Sequence, residues 1–221
     1  MRSSRFLVFD LDGTLIDSSA GVIEAVNYSL RMTRHPEREG AEISRWIGFP
    51  LEKMYANFGA GPFNELYHHF QRRASESVVK SSQPLEGAEA TLRLLHERGW
   101  RMAIATTKVH RHVEAIIEKF GWHDMFPVMV GGDDVSRVKP DPEAFRLAMS
   151  RLGAKPENTL VIGDTTNDVL AAQAIPVPVV AVVSPYGGHE SLLASRPDYV
   201  IDTISELPFL LNRNGERKEA I

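Results

Sequence analysis

Two aspartates, Asp10 and Asp12, stand two residues apart in the stretch LVFDLDGTLIDS, where an apolar run gives way to Gly13 and Thr14. Two carboxylates held close together repel, so one of them takes up a proton unless a cation lies between them. Mg²⁺ meets this need, because it prefers oxygen ligands and is commonly held by one or two carboxylates together with a phosphate. The pair therefore indicates a magnesium site beside a phosphate group.

Three further segments carry residues suited to the same chemistry: TTK at 106–108, VKPDPE with Lys139, and GDTTND with Asp164 and Asp168. Asp164 offers another oxygen to a cation, Lys139 offers a positive charge to a phosphate dianion, and Thr106 offers a hydroxyl donor. Hydrolysis of a phosphate monoester is very slow without catalysis, so it requires a nucleophile, a charge clamp and an acid for the leaving oxygen.

Each of these segments follows a predicted strand or the loop after one. Short apolar runs predict strands at 5–9, 101–105, 128–130, 159–162 and 179–183, and helical patterns between them predict helices at 88–98, 109–120, 143–151 and 168–174. This alternation is typical of an α/β fold, a Rossmann-like parallel sheet with helices on both faces. Ligands bind at the carboxyl ends of such strands, so we expect the motifs to meet in one crevice.

The interval between the first strand and Gly87 has helical patterns at 19–30 and 64–79 and no convincing strand. We call residues 17–82 the helical insert, and we expect it to form a small all-α cap domain. The catalytic core then comprises residues 1–16 and 83–221, with linkers near 15–18 and 81–86. We expect the polar tail at 212–221 to fray.

Composition excludes several classes of partner and site. A hydrophobic fraction of 43%, a charged fraction of 24% and a net charge of −4 are typical of a globular protein without affinity for nucleic acid or an anionic membrane. The chain has no cysteine, so oxygen or imidazole must hold any metal. No apolar run approaches the roughly 20 residues of a membrane span, and Asp10 comes too early for a signal peptide, so we expect a cytoplasmic monomer or homodimer.

The four motifs together resemble the signatures of the haloacid dehalogenase superfamily, in their expected order across the whole chain. These are DLDGT at 10–14, Thr106, Lys139 and GDTTND at 163–168. The helical insert is similar to the small cap of one branch of that superfamily. Within the superfamily, the chain most resembles the phosphoglycolate phosphatase-like branch. The segments that carry this likeness are RWIG at 45–48, GGDDV at 131–135 and KPDP from Lys139.

This resemblance implies a role for each motif. Asp10 is the nucleophile that forms an aspartyl-phosphate, and Asp12 protonates the leaving alcohol and then activates water. The resemblance implies that the phosphoryl group is bound by Thr106, Thr107 and Lys139. It implies that Mg²⁺ is bound by Asp10, Asp12, Asp164 and Asp168. Asp168 either supports Lys139 and the metal or serves as an acidic residue of a helix first turn.

Three functions follow from these motifs. The first is a magnesium-dependent phosphatase for a small phosphorylated metabolite, with phosphoglycolate as the preferred substrate. Haloacid dehalogenases lack an aspartate at the position of Asp12, so Asp12 favours phosphoryl transfer. The alternatives are a phosphotransferase or mutase of the β-phosphoglucomutase type and a non-catalytic binding protein. Arg45, in the loop RWIGFP, is expected either to pair with a carboxylate of the substrate or to be a surface charge.

Other polar residues have ordinary structural interpretations. We expect the eight histidines to lie on solvated helix faces and Lys53 to be a surface residue. Asp133 and Asp134 are expected either to form a turn or to support the site from behind its ligands, rather than to be ligands themselves. The glycine that the resemblance leads one to expect after Ala174 is missing, and the chain reads IPVPVV instead. The path of the following loop, SPYGGHE at 184–190, is left open by this difference.

Overall fold

A computed structural model of the chain describes residues 6–216, with side chains to residue 212. The strands are β1 (Phe6–Phe9), β2 (Ile16–Asp17), β3 (Gln83–Pro84), β4 (Arg101–Ala105), β5 (Val128–Val130), β6 (Thr159–Gly163), β7 (Val179–Val182) and β8 (Tyr199–Ile201). The helices are α1 (Ser19–Met32), α2 (Gly40–Ser44), α3 (Leu51–Asn57), α4 (Phe63–Ser81), α5 (Ala88–Glu97), α6 (His110–Phe120), α7 (Glu143–Leu152), α8 (Thr166–Gln173), α9 (His189–Ala194) and α10 (Leu207–Glu216). Within residues 6–216, none of these helices has the length and apolarity needed to span a membrane.

Six strands form one parallel sheet in the order β5-β4-β1-β6-β7-β8. The central strand β1 lies between β4 and β6, with Phe9 aligned to Ile104 on one side and Ile162 on the other. Because these strands are parallel and in register, the residues that follow them leave the sheet at the same edge. This edge therefore gathers three of the chemically important segments.

Alternate residues of β1 face opposite sides of the sheet, as the pleat of a strand requires. Leu7 and Phe9 belong to a hydrophobic cluster with residues of α5 and α6, whereas Phe6 and Val8 belong to a cluster with residues of α7 and α8. The strand is buried on both faces, which explains its continuous apolar sequence. The predicted α/β fold with helices on both faces is confirmed.

Helices α1–α4 of the helical insert have a hydrophobic cluster of their own, which includes Val26, Tyr55 and Phe70. Helix α1 packs along α4, and Gly21 permits this close approach. A Cβ at Gly21 would lie 2.6 Å from the Cα of Val78. Larger residues at this position would therefore separate the two helices.

The two predicted linkers pair with each other as the antiparallel strands β2 and β3. The chain therefore enters and leaves the helical insert side by side. Lys119, from α6, donates hydrogen bonds to the carbonyls of Val79, Lys80 and Ser82 at the end of α4. The division into a core of 1–16 and 83–221 and an insert of 17–82 stays a prediction.

The C-terminal region differs from the sequence prediction. Strand β8, which the sequence analysis did not predict, lies at the edge of the sheet, and Ile201 alone of its three residues is buried. Residues 212–216 continue α10 rather than fray, because Leu207 and Leu211 anchor this helix in the core. Residue 5 of the first predicted strand and residues 217–221 of the predicted tail lie outside the described residues.

The segment after α8 ends its helix without the expected glycine. Ala174 keeps a right-handed helical backbone, and Ile175 and Val177 are buried. The carbonyl of Pro178 then accepts a hydrogen bond of 3.0 Å from the N–H of Val161, which aligns the chain for β7. Two buried apolar side chains thus replace a glycine cap at this helix end.

Candidate active site

Three carboxylates meet at the carboxyl end of the central strands. Asp10 follows β1, Asp164 follows β6, and Asp168 lies in the first turn of α8. All three are buried, and one oxygen of each lies within 4.8 Å of the other two. The N–H of Asp10 donates a 2.8 Å hydrogen bond to the carbonyl of Ile162, which extends the β1–β6 pairing by one residue. The structure thus brings these predicted site residues together.

The turn after Asp12 brings the backbone against Asp164. Gly13 has a φ of +79°, a left-handed conformation that favours glycine. A Cβ at Gly13 would lie 2.1 Å from Oδ2 of Asp164, so a side chain does not fit there. Thr14 Oγ1 donates a hydrogen bond of 3.0 Å to Oδ1 of the same carboxylate. Gly13 and Thr14 therefore shape the position of Asp164.

Lys139 lies inside this acidic group with 1% of its surface exposed. Its Nζ is 2.9 Å from Oδ1 of Asp10 and 2.5 Å from Oδ1 of Asp168. Burial alone lowers the pKa of Lys139, but the charges of Asp10 and Asp168 more than offset that effect and raise it. The ammonium group is therefore charged at neutral pH and lies beside the expected nucleophile.

Asp168 uses both of its carboxylate oxygens within the protein. Oδ2 accepts hydrogen bonds from the N–H and the hydroxyl of Thr165, at 3.0 and 2.6 Å, and Oδ1 accepts one from Lys139. Asp168 therefore makes the contacts of both interpretations from the sequence, because it caps the first turn of α8 and also bonds to Lys139. Its part as a direct metal ligand stays a prediction.

Two buried oxygens of the cluster make no hydrogen bond of good geometry with the described residues, although Nζ of Lys139 lies 2.9 Å from one of them. Oδ1 of Asp10 and Oδ2 of Asp164 are buried and accept no well-formed hydrogen bond. Burial raises the pKa of Asp10 to about 6 and that of Asp164 well above its usual range, and the charge of Asp168 adds to both shifts. Three crowded, buried carboxylates of this kind fit a divalent cation that prefers oxygen ligands.

The carboxylate of Asp12 is not one of the three that meet in this cluster, and its part as a metal ligand stays a prediction. Its Oδ1 accepts a hydrogen bond from the hydroxyl of Ser18 and lies 3.2 Å from Nζ of Lys108. The side chains of Asp12 and Lys108 are each 8% exposed. The charge of Asp12 nevertheless adds to the raised pKa of Asp10, in line with the predicted repulsion, and the charge of Asp168 contributes more.

The predicted phosphate-binding threonines follow β4. Thr106 is buried, its N–H donates to the carbonyl of Val130 at 3.0 Å, and its hydroxyl accepts a 3.4 Å hydrogen bond from the N–H of Lys108. Thr107 lines the cavity described below. Arg45 is exposed and, among the described residues, is not one that lines this cavity, so its location favours the surface-charge interpretation.

A cavity of about 330 Å³ lies between the helical insert and the edge of the sheet. Asp12, Lys108 and His112 line it from the core, whereas α3, α4 and the loop before α3 line it from the insert. A group bound there would reach Asp12 directly. The cavity is therefore a candidate site for the part of a substrate that leaves as an alcohol.

A profile of the haloacid dehalogenase-like hydrolases matches residues 7–182. The chain belongs to this family. The solved structure of a haloacid dehalogenase-like protein from Bacteroides fragilis superposes with a TM-score of 0.87 at 29% identity, over 92% of this chain and 99% of that one. Its agreement confirms the predicted fold and family.

Three curated relatives span nearly the whole chain. A probable phosphatase, IndB, of Dickeya dadantii is 34% identical over 91% of this chain and 90% of its own length. The pyrophosphatase PpaX of Halalkalibacterium halodurans is 32% identical, with coverages of 91% and 94%. A phosphoglycolate phosphatase of Yersinia pestis is 31% identical, with coverages of 93% and 92%. The predicted enzyme class, a phosphatase of this family, is confirmed.

The sequence analysis did not assign two residues that line the cavity of this hydrolase. Lys108 is the last residue of the TTK segment, so its position after β4 was the available signal. His112 corrects the expectation that every histidine is solvated, because it is 6% exposed where α6 packs against α4. Its Nε2 lies 3.5 Å from the hydroxyl of Ser75. Helical periodicity carried no sign of this contact between two separate elements.

The remaining polar residues agree with their structural interpretations. Asp133 accepts a 2.6 Å hydrogen bond from the N–H of His110, and Asp134 accepts one of 2.7 Å from the N–H of Gly131. Both therefore stabilise the turn after β5. Lys53 is exposed on α3, as expected.

The loop after β7 contacts the linker to the helical insert through Tyr186. The hydroxyl of Tyr186 accepts a hydrogen bond from the N–H of Ser18 and donates one to Oδ1 of Asp17, each 3.0 Å long. Its ring packs in the hydrophobic cluster of the insert. The loop at 184–190 therefore connects the core to the insert beside Asp12.

Replacing Tyr186 with Phe is expected to lower the free energy of unfolding by about 1–2 kcal/mol, because the buried N–H of Ser18 loses its acceptor. Such a loss lowers Tm by about 2–4 °C per kcal/mol in a chain of this size. Thermal unfolding followed by circular dichroism measures the change. Tyr67→Phe is the control, since the Tyr67 hydroxyl bonds to Gln71 at an exposed position. Equal shifts in the two variants would contradict the expectation.

Proposed function

We propose that this chain hydrolyses a small phosphate monoester to an alcohol and inorganic phosphate, with Asp10 as the nucleophile. The observation that carries the proposal is the position of Asp10, buried beside the charged Nζ of Lys139 at 2.9 Å, next to a cavity that contains Asp12. Phosphoglycolate is the first substrate to test, since one relative carries that name. We place the reaction in the cytoplasm, in a monomer or homodimer.

In the first step an oxygen of Asp10 attacks phosphorus while the bond from phosphorus to the alcohol oxygen breaks. Asp12 transfers a proton to that oxygen, so the product leaves as a neutral alcohol and Asp10 becomes an aspartyl-phosphate. In the second step water attacks phosphorus and gives a proton to Asp12. The bond to Asp10 then breaks, which releases phosphate and restores both carboxyl groups.

The neighbouring residues divide the remaining work. Lys139 provides a positive charge for the phosphoryl oxygens, and Thr106 provides a hydroxyl donor. Ser18 and Lys108 hold Asp12 toward the leaving group. Asp10 and Asp164 would hold Mg²⁺, with Asp168 at the edge of the same cluster. When bound, Mg²⁺ neutralises the crowded carboxylates and the charge of the phosphate.

Magnesium at about 100 times its Kd is expected to stabilise the protein by about 2.7 kcal/mol, which raises Tm by about 5–10 °C. In Asp164→Asn this response should disappear, because a buried ligand oxygen loses its charge. The metal-free variant should be at least as stable as the wild type, since a repelling carboxylate is gone. Differential scanning calorimetry with and without Mg²⁺ tests both points. An undiminished response in the variant would exclude Asp164 as a ligand.

Phosphate release from a panel of monoesters is expected to require magnesium and to fall at least about 50-fold in excess EDTA, because three buried carboxylates then repel the substrate. The panel includes phosphoglycolate, and inorganic pyrophosphate, a phosphoanhydride, is assayed beside it, because the names of two relatives indicate these substrates. Restoring Mg²⁺ must restore the rate. Full activity in EDTA would reject the metal requirement, and transfer to a sugar without release of phosphate would indicate a phosphotransferase.

A further inference from the structure

The side of the cavity contributed by the helical insert is rich in aromatic residues. Trp46 and Phe49 come from the loop before α3, and Phe63, Tyr67 and Phe70 come from α4. The rings of Trp46 and Phe49 meet edge to face, with centroids 5.8 Å apart, and those of Phe63 and Tyr67 lie 5.4 Å apart. This wall offers flat apolar surface to whatever lies beyond the phosphate.

The described charged residues that line the same cavity offer no unpaired positive charge to a second anionic group, such as a carboxylate, on the substrate. Among its described lining residues Lys108 is the one lysine or arginine, and it is paired with Asp12 at 3.2 Å. Glu52 and Asp133 add negative charge to the lining. A carboxylate placed here would lose water and gain acidic neighbours, both of which are unfavourable.

His112 does not supply the missing positive charge. Burial, with the charge of Lys108, lowers the pKa of His112 to about 4, so its ring is neutral at pH 7. Arg111, the adjacent cation on α6, bonds to Gln71 at 2.8 Å and to Ser75 at 3.2 Å. The polar end of the cavity therefore suits a neutral group that forms hydrogen bonds.

The size of the cavity supports the same conclusion. A volume of about 330 Å³ lies within the range of about 300–1,000 Å³ usual for pockets that bind organic ligands. A two-carbon acid such as glycolate would leave most of the aromatic wall without contacts. An aromatic alcohol would cover that wall and displace water from it.

We infer that the preferred substrate is a phosphate monoester whose alcohol is uncharged and carries an aromatic ring, which packs against Trp46, Phe49 and Tyr67. This inference rests on the proposed phosphatase function and replaces phosphoglycolate as the substrate class. The ring provides binding energy remote from phosphorus, and that energy positions the phosphoryl group for attack by Asp10.

The test compares benzyl phosphate with phosphoglycolate, which both release primary alcohols, so that the leaving groups are similar. We expect kcat/KM to be at least about 10-fold higher for benzyl phosphate, the discrimination that a few buried apolar groups provide. Propyl phosphate, whose alcohol is uncharged but lacks a ring, should give a value between those of the other two esters. A preference for phosphoglycolate would overturn the inference while leaving the phosphatase function intact.

Phe49→Ala and Tyr67→Ala locate the preference in the aromatic wall. Each should lower kcat/KM for benzyl phosphate about 10-fold and change that for phosphoglycolate less than about 3-fold. Phe209→Ala, which removes a ring that is 74% exposed on α10, should alter neither value. Equal losses on both substrates would overturn the inference. Absence of phosphate release from every ester would reject the proposed function and this inference with it.

Discussion

Asp10→Asn is expected to abolish phosphate release, with kcat/KM at least about 10⁴-fold below that of the wild type. An amide cannot form the acyl-phosphate, and two of the neighbouring carboxylates already have partners within the protein. Asp168 is engaged by Lys139 and Thr165, and Asp12 is directed toward Ser18 and Lys108. Steady-state release of phosphate, with Mg²⁺ present, measures the loss.

The fold of Asp10→Asn should survive, because an amide of the same shape removes a buried charge that Asp168 repels, while Lys139 keeps Asp168 as its partner. Its Tm should lie within a few degrees of the wild-type value. Asp202→Asn, at an exposed position after β8, is the matched control and should retain full activity. Near-normal turnover by a folded Asp10→Asn protein would show that another group is the nucleophile.

Lys139→Ala is expected to lower kcat/KM about 10³-fold, because a fixed positive charge beside the transferred phosphoryl group is lost from a site that excludes water. It also leaves Asp10 and Asp168 without their shared cation. Removing one partner from a buried ion pair costs about 3–5 kcal/mol, so the variant should unfold at a lower temperature. Activity and Tm must therefore be measured together.

Two further variants separate catalysis from stability at this position. Lys139→Met keeps the side-chain volume without the charge, so it should be as inactive as the alanine variant and better folded. Lys119→Ala removes a lysine that bonds to three carbonyls at the end of α4, and it should lower Tm while keeping kcat/KM. A loss of only a few-fold in folded Lys139→Met would assign Lys139 a structural role.

The secondary structure was predictable because strand and helix patterns are local. Continuous apolar runs such as 102–105 indicate strands that are buried on both faces, and the structure has them in β4 and its neighbours. The strand β8 and the pair β2–β3 were not predictable in this way. These strands are short, and hydrogen bonds to partners distant in sequence define them.

Some residues of the candidate site could likewise be located from the sequence, and others could not. The motifs with Asp10, Asp164 and Lys139 could be located from the sequence, because each directly follows a strand or its loop and parallel strands end at a common edge. The positions of Arg45 and His112 could not. Arg45 lies on the surface of the helical insert, and His112 is covered by α4. Both depend on how the insert packs on the core.

The sequence by itself determined the family, the order of the motifs that follow the strands, and the kinds of side chain that those motifs supply. These features depend on residue type and on short-range spacing. Only the tertiary structure decided that Asp12 pairs with Lys108, that Asp168 both caps α8 and bonds to Lys139, and that five aromatic side chains line the cavity that contains Asp12. The physical reason is that charge pairs and cavity walls form between elements far apart in the chain. Their geometry is set by packing, which local patterns do not encode.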